Sequence, residues 1–327
     1  MSGPQSPENL VLTADLTWAP ISELEVGDEV ASFERTEDTE PYQHSKLRTS
    51  TVSSVLTQTV EAVRIHTDRG SVVVNANQQL SPEHHAHREA SRFKAGHGIR
   101  FVAQPGVYME NQAYRFGYVH GAFAGDGCLF TNKTTNHGTI RCQDEVIVTT
   151  VHSYAPPEYG LKLKKKTSDD LFEVRTTKGA EVDEIRLSYP IDESSIDNPD
   201  YCRGWLAGMF DTDGSFDGKT VRFCQKKPEQ REILKETLSV LGYDFAAEPE
   251  GIRVRGTGSR LQVLTEIRPQ VHRKVRNYVD RSWKGTAKVH RVESLGEREI
   301  TSLATDPGQT YIVDGFCAHD VRQLTLC

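Results

Sequence analysis

The sequence predicts an α+β fold: an all-β domain split by an inserted domain of helices and short strands. Three observations carry that prediction. Both ends of the 327-residue chain alternate apolar and polar residues with period two. The middle holds an apolar, glycine-striped stretch twice, GYVHGAFAGDG at 117–127 and GWLAGMFDTDG at 204–214. Each copy is followed by short strands and a further helix, which marks a degenerate internal repeat.

In chain order, LVLTADLTW and EVGDEVASF read as strands joined by a short turn around Pro20. Residues 60–80 read as a hairpin about Arg69-Gly70. After the second glycine stripe, 215–225 reads as a hairpin. Residues 228–241 read as an amphipathic helix with Ile233, Leu234, Leu238 and Leu241 on one face and Gly242 as its C-cap. GIRVRG and LQVLTEIRP supply another strand and helix, and 300–320 returns to strand, turn, strand. The expected organisation is a tail at 1–10, β segments at 11–107 and 286–320, and a tail at 321–327. The insert is expected at 108–285, its repeats dividing near 195.

At 36% hydrophobic and 26% charged, the composition is that of a globular protein. No apolar run approaches the roughly 20 residues that span a bilayer, and MSGPQSPENL lacks the apolar core of a signal peptide. Six scattered cysteines without a CxxC spacing read as reduced thiols, so a cytoplasmic setting is expected. The net charge of −7 opposes nucleic-acid binding, but from Arg253 to Arg291 eleven basic residues face only Glu266 and Asp280. That local excess predicts a polyanion-binding face.

Glycines four apart lie on one helix face, and two such smooth stripes let helix backbones approach closely. Gly117 and Gly121 precede Asp126 with the spacing by which Gly204 and Gly208 precede Asp213. Packing the stripes together brings Asp126 and Asp213 to one end of the pair. Two carboxylates that close repel, and a divalent metal between them relieves the repulsion. Each following Asp-Gly would otherwise be a C-cap turn and nothing more, but the doubling favours the paired site.

The doubled stretch resembles the LAGLIDADG homing endonucleases, closely at Leu206–Gly214 and loosely at Val119–Gly127. The resemblance covers about 108–278. It implies a pseudo-twofold αββαββα domain whose sheets lie in the DNA major groove, and a monomer cutting a long asymmetric double-stranded target in a bacterial or phage-infected cytosol. It also implies Mg2+ or Mn2+ held by Asp126 and Asp213, with Gly125 and Thr212 beside them as further ligands. Metal and two carboxylates suit phosphodiester hydrolysis, and a nearby lysine can stabilise the developing charge. The segment IRPQVHRK places Pro269 and Lys274 where family members carry such a lysine, leaving a plain phosphate contact as the alternative role. Gln225 and Lys226 are further catalytic candidates, and Lys178 is the candidate in the first repeat. DNA contacts are expected from Arg141, Lys164, Lys166, Arg175 and Arg222, and from Lys227, Arg253, Arg255, Arg273 and Arg276, since arginine can bond guanine bidentately.

The flanking segments resemble an intein (Hint) domain. Ile21, Leu24, Gly27, Asp28 and Val30 match its opening block, and Gly315, His319 and Asp320 its closing one. The splicing residues depart from the pattern. Val11 stands in place of the first nucleophile, Asn75 to Gln78 in place of Thr-x-x-His, and Asp320 in place of the cyclising Asn. Val321 follows where a nucleophile should, and Ser302 and Gln309 replace an Asp and a His. Cys317 reads as a buried structural thiol or a displaced nucleophile, and the histidines of HHAH (His84, His85 and His87) as solvated. The expected function is an endodeoxyribonuclease keeping a degenerate Hint domain as a scaffold or DNA-contact module. The alternatives are a splicing element with unusual residues and a DNA-binding regulator without catalysis.

Overall fold

The computed structural model describes residues 9–34, 46–83, 87–106, 110–131, 136–164, 170–177, 182, 185, 196–256 and 259–320. The chain forms two compact units, one of 1–106 with 276–327 and one of 107–275. Among the described residues no helix is long and apolar enough to cross a membrane.

The first unit is antiparallel β. Strands β1 (Leu10–Leu12), β2 (Trp18–Pro20), β3 (Glu29–Phe33), β4 (Leu47–Thr67), β5 (Gly70–Asn75), β6 (Gln79–Leu80), β7 (Arg88–Glu89) and β8 (Gly98–Arg100) come first in the chain. A second set, β17 (Thr286–Asp306), β18 (Thr310–Val313) and β19 (Phe316–His319), returns after the insert. One sheet runs β2-β1-β18-β19-β6-β7; the other runs β3-β4-β17-β8, with β5 also on β4. Thus each sheet joins strands from both ends of the chain. Val11, Val30, Ile65, Val72, Leu80, Ile99 and Phe316 share its core, as the period-two pattern requires. The hairpin turn falls at Asp68-Arg69, where Gly70 has a φ of 128°.

Residues 276–285 close this unit rather than the insert, so the second boundary falls at 275 instead of 285. Arg276 pairs with Asp15 at 2.9 Å and Glu29 at 2.8 Å, and the Tyr278 hydroxyl donates to the Ala14 carbonyl at 2.9 Å.

The second unit repeats one supersecondary pattern. Its first half is α1 (Gln112–Asp126), β9 (Gly127–Thr131), β10 (Asn136–Cys142), α2 (Glu145–Tyr154), β11 (Lys162–Lys164) and β12 (Phe172–Thr176). Its second half is α3 (Pro199–Asp213), β13 (Gly214–Phe216), β14 (Val221–Cys224), α4 (Pro228–Val240), β15 (Phe245–Glu248) and β16 (Gly251–Val254), followed by α5 (Ser259–Ile267) and α6 (His272–Val275). The sheets run β11-β12-β10-β9 and β13-β14-β16-β15. Asn111 caps α1 by accepting from the Tyr114 amide, and Asn198 caps α3 with Pro199 in the first turn. The expected C-cap of α4 is present, with Gly242 at a φ of 74°.

Ladder register makes the halves comparable residue by residue. Gly127 pairs with Ile140 as Gly214 pairs with Phe223, and Thr139 pairs with Arg175 as Arg222 pairs with Arg253. Cys142 and Gln225 therefore stand at matching places, as do Asp144 and Lys227, the residues that precede α2 and α4.

Candidate active site

The site is built on the joint between α1 and α3. A methyl group added to Gly117 would strike the Tyr201 carbonyl and the Trp205 amide, and one on Gly121 the Trp205 carbonyl. In return, Gly204 abuts the Tyr114 carbonyl and Gly208 the Tyr118 carbonyl and Ala122 amide. The contact is main chain on main chain in both directions, as the glycine spacing predicts.

The helix ends differ from the C-cap expectation. Gly127 and Gly214 have ordinary extended φ values of −77° and −87°. Glycine is needed there because the strand doubles back against its own helix: a Cβ would collide with Phe123 in one copy and Phe210 in the other.

This geometry carries Asp126 and Asp213 to one end of the joint. A Cβ at Gly125 would lie 3.5 Å from Asp213 Oδ2. The Asp213 carboxyl is raised to about 6, chiefly by burial and then by the charge of Asp126, against the pull of Lys274 and Lys227. Asp126 is raised by burial, with Lys274 opposing. Two partly desolvated carboxyls facing each other suit a divalent cation. Among the described residues no three His, Cys, Asp or Glu side chains cluster for a metal. Water and phosphate oxygens would have to complete the shell, which is how Mg2+ is commonly held.

Lys274 does reach this end of the helix pair. Its ammonium donates to the carbonyls of Phe210 at 3.1 Å, Asp211 at 2.7 Å, Thr212 at 3.1 Å and Gly214 at 3.0 Å. A cation at a helix C-terminus offsets the negative end of the macrodipole, here directly beside two carboxylates. The Thr212 carbonyl, expected to lie beside the metal, accepts one of these bonds. The Thr212 hydroxyl donates back to Gly208 and Met209.

Asp211 was missed by sequence reasoning although it lies inside the second motif. It is fully buried and accepts from the Tyr118 hydroxyl of α1 at 2.8 Å. It also accepts from the amides of Gln270 at 2.8 Å and Val271 at 3.0 Å, which fixes the loop leading to Lys274. Burial raises its carboxyl to about 6 despite those donors. The first copy has Ala124 at the matching place, and its carbonyl accepts from the Gln225 side chain at 3.2 Å. One helix end is thus capped by a cation and the other by a neutral amide.

The remaining candidates divide. Lys226 pairs with Glu250 at 3.1 Å on the surface, whereas the charge of Lys227 acts on Asp213. Arg273 is held by Asp144 through two bonds of 2.9 and 2.6 Å. Arg276 belongs to the other unit, so the basic run from Arg253 to Arg291 is shared between two units. Arg141, Lys164, Arg175, Arg222 and Arg253 lie on the two sheets of the second unit, and Arg255 follows β16, exposed. Lys166 and Lys178 lie outside the described residues.

In the first unit, Val11 is fully buried on β1, opposite Val313. The Asn75 side chain accepts from the Asn77 amide, and the Gln78 side chain donates to the His319 carbonyl. The Ser81 hydroxyl, unnoticed in the sequence, lies 2.9 Å from His319 Nε2 and donates to Cys317 Sγ at 3.2 Å. Burial raises the Cys317 thiol, which disfavours the thiolate a nucleophile needs. Both Asp320 oxygens accept from Thr305, from its amide at 2.8 Å and its hydroxyl at 3.0 Å. His87 is exposed and its ring meets that of His319 edge-on, while His84 and His85 lie outside the described residues. The five described cysteines are free.

Residues 200–245 match the LAGLIDADG-like domain family. No curated protein matches the sequence. Among solved structures, the chain is similar to mesophilic variants of the homing endonuclease I-DmoI, with 16% identity, 46% of this chain and 87% of that one covered, and a TM-score of 0.39. I-DmoI in complex with DNA and Mn gives 15% identity, coverage of 48% and 97%, and a TM-score of 0.39. A variant of the Ssp DnaB mini-intein gives 9% identity, coverage of 96% and 91%, and a TM-score of 0.34.

Proposed function

We propose that the protein is a site-specific endodeoxyribonuclease that hydrolyses both strands of a long asymmetric DNA target with Mg2+ or Mn2+, acting as a monomer in the cytoplasm. The single observation that carries this reading is the paired Asp126 and Asp213 carboxyls at the end of the glycine-locked helix joint, with the Lys274 cation beside them. When bound, the divalent cation would supply an activated water and relieve charge on the leaving oxygen. Asp126 and Asp213 would hold it. Lys227 stands by Asp213 to favour negative charge building on the phosphate. Lys274 acts indirectly, since its ammonium is occupied by carbonyls: it keeps the helix end from repelling the incoming phosphate.

The first unit is read as a Hint-like scaffold or DNA-contact module that no longer splices. Val11 offers no nucleophile, and Asp320 holds Thr305 in place of a cyclising amide. A catalytically silent regulator is the poorer reading, because both carboxyls are retained and electrostatically coupled.

The test is cleavage of a randomised-site DNA library with Mg2+ and with EDTA. Metal-dependent cutting at one long sequence, lost in Asp213→Asn with binding retained, supports the reading. Double-strand cutting by Asp213→Asn would sink the site assignment. Binding without cutting would favour the regulator.

A further inference from the structure

Each sheet of the second unit carries a carboxylate between two arginines. On the first, Glu173 takes Arg141 Nε at 2.6 Å and Arg175 Nε at 3.1 Å. Glu173 is only 1% exposed, while the two arginine side chains remain 51% and 47% exposed. The acid is covered and its partners are presented. On the second sheet, Glu248 takes Arg253 Nε at 2.9 Å and Arg222 Nε at 3.3 Å, again with both arginines partly exposed. Glu173 and Arg175 flank the inward-facing Val174, as Arg253 flanks the inward-facing Ile252, so these groups occupy the outer faces of their sheets.

Inheritance of the repeat does not explain the recurrence. Arg175 and Arg253 hold matching ladder positions, but their companions do not. Arg141 matches Cys224, and Arg222 matches Thr139. Glu173 comes from β12, whereas Glu248 comes from β15 and matches Lys164. The same constellation is assembled twice from different places. Stability does not explain the Glu248 grouping either, since ion pairs between partly exposed groups contribute little. A surface selected only to attract a polyanion would also omit the two acids.

What the acid does supply is orientation. An unpaired arginine must give up rotamer freedom when it bonds a base. Here Arg141 Nε donates to Glu173, and Arg175, Arg222 and Arg253 stand with Nε at ion-pair distance from their acid. Arg222 also donates from an Nη to Asp217 at 3.4 Å, so among the described residues the Nη edges of Arg141, Arg175 and Arg253 are the ones offered to a second acceptor pair. Guanine O6 and N7 offer such a pair in the major groove.

We propose that Glu173 and Glu248 are specificity-determining positioning residues, each fixing its arginine pair as a guanine reader, so that both target half-sites carry guanine at the position met by Arg175 or Arg253. This rests on the DNA reading above. The carboxylate lowers affinity for DNA of any sequence and raises discrimination between sequences.

The experiment measures binding of the full chain, Glu173→Gln and Glu248→Gln to the library-selected target and to scrambled DNA, in Ca2+, over a salt series. The expected result for each variant is tighter binding to scrambled DNA with a target-to-scrambled ratio about tenfold smaller or less, the scale of one bidentate base contact. Guanine-to-adenine changes in the matching half-site should then be tolerated. A merely structural role would weaken both affinities together and lower the melting temperature. That result, or an unchanged ratio, overturns the proposal and leaves the DNA reading intact. Failure of the parent protein to bind any DNA overturns both. Glu248 is partly exposed and sits on a separate sheet, so its variant tests the idea even where Glu173→Gln fails to fold.

Discussion

The Lys274 ammonium lies 2.7 Å from the Asp211 carbonyl oxygen, while the Asp211 carboxylate accepts the amides of Gln270 and Val271 just upstream of that lysine. One residue thus receives the lysine with its main chain and places it with its side chain. The arrangement converts a fully buried carboxylate, costly by itself, into the anchor of a helix cap.

Lys274→Met should therefore act through the fold. The carbonyls it leaves without a donor cost about 1–3 kcal/mol each where water cannot reach them. A lower melting temperature and cleavage slowed at least tenfold are expected, with target affinity changed by less than about threefold, since the ammonium is already taken up by main-chain carbonyls. Thermal unfolding, a cleavage time course and a binding titration read the three quantities. An affinity loss with an unchanged melting temperature would instead identify the lysine as a phosphate contact.

Gly208→Ala should destabilise the second unit although alanine is the better helix former by about 1 kcal/mol. The added methyl meets the Tyr118 carbonyl and the Ala122 amide, which are backbone and cannot turn aside. Overpacking of this kind costs about 1–3 kcal/mol or more. Gly296, with nothing within reach of a Cβ, is the control position for crowding, although its φ of 69° carries its own strain. Urea unfolding of the two variants separates the effects.

The two half-sites should cut at different rates. Among the described residues, Lys227 and Lys274 both act on Asp213, whereas Lys274 is the cation that acts on Asp126, and the place matching Lys227 holds Asp144. Nicked plasmid is expected to accumulate before linear product. Asp144→Asn should shorten the life of the nicked form, and Lys227→Met should slow its appearance about tenfold or more. Linear product forming with no nicked intermediate would contradict the inequality.

Asp314 gives a pH dependence in the first unit. Its carboxylate accepts from the Leu10 amide at 2.9 Å, yet burial raises it from 3.8 to about 6. Between those values the folded chain holds the proton and the unfolded chain releases it. Stability from this group is therefore full below pH 3.8 and declines as pH rises through 6. Asp314→Asn keeps an acceptor for Leu10 and removes the charge. The variant should melt higher than the parent at pH 7.5, on the order of 2 kcal/mol more stable, and the difference should vanish near pH 4. Equal melting curves at pH 7.5 would refute the assignment.

Much of the architecture was legible because it rests on periodicity. The glycine spacing encoded the helix joint, and alternation encoded the long strands β4 and β17. That Asp126 and Asp213 come to one end of that joint was legible because a doubled acid stands at a fixed distance from a doubled stripe. Three things were not legible. The need for glycine at Gly127 and Gly214 arises from a chain folding back on Phe123 and Phe210, a contact with no sequence period. The choice between Lys226 and Lys227 depends on where α4 begins, and one residue turns a side chain from the surface pair with Glu250 toward Asp213. The Arg141–Glu173–Arg175 grouping joins neighbouring strands whose register no local pattern records. The basic run near the C-terminus is continuous in sequence but divided between two units, a division that no local pattern marks.

Where the four glycines cross, the joint between α1 and α3 is main chain on main chain, so at those positions the side-chain requirement is absence. Variation can accumulate on the outer sheet faces without disturbing the alignment of the carboxylates, provided four glycines stay. For protein engineering this separates two tasks that most enzymes entangle. A library randomised around Arg141, Arg175, Arg222 and Arg253 can search for altered recognition, while Gly117, Gly121, Gly204 and Gly208 hold the cutting machinery as an unaltered chassis.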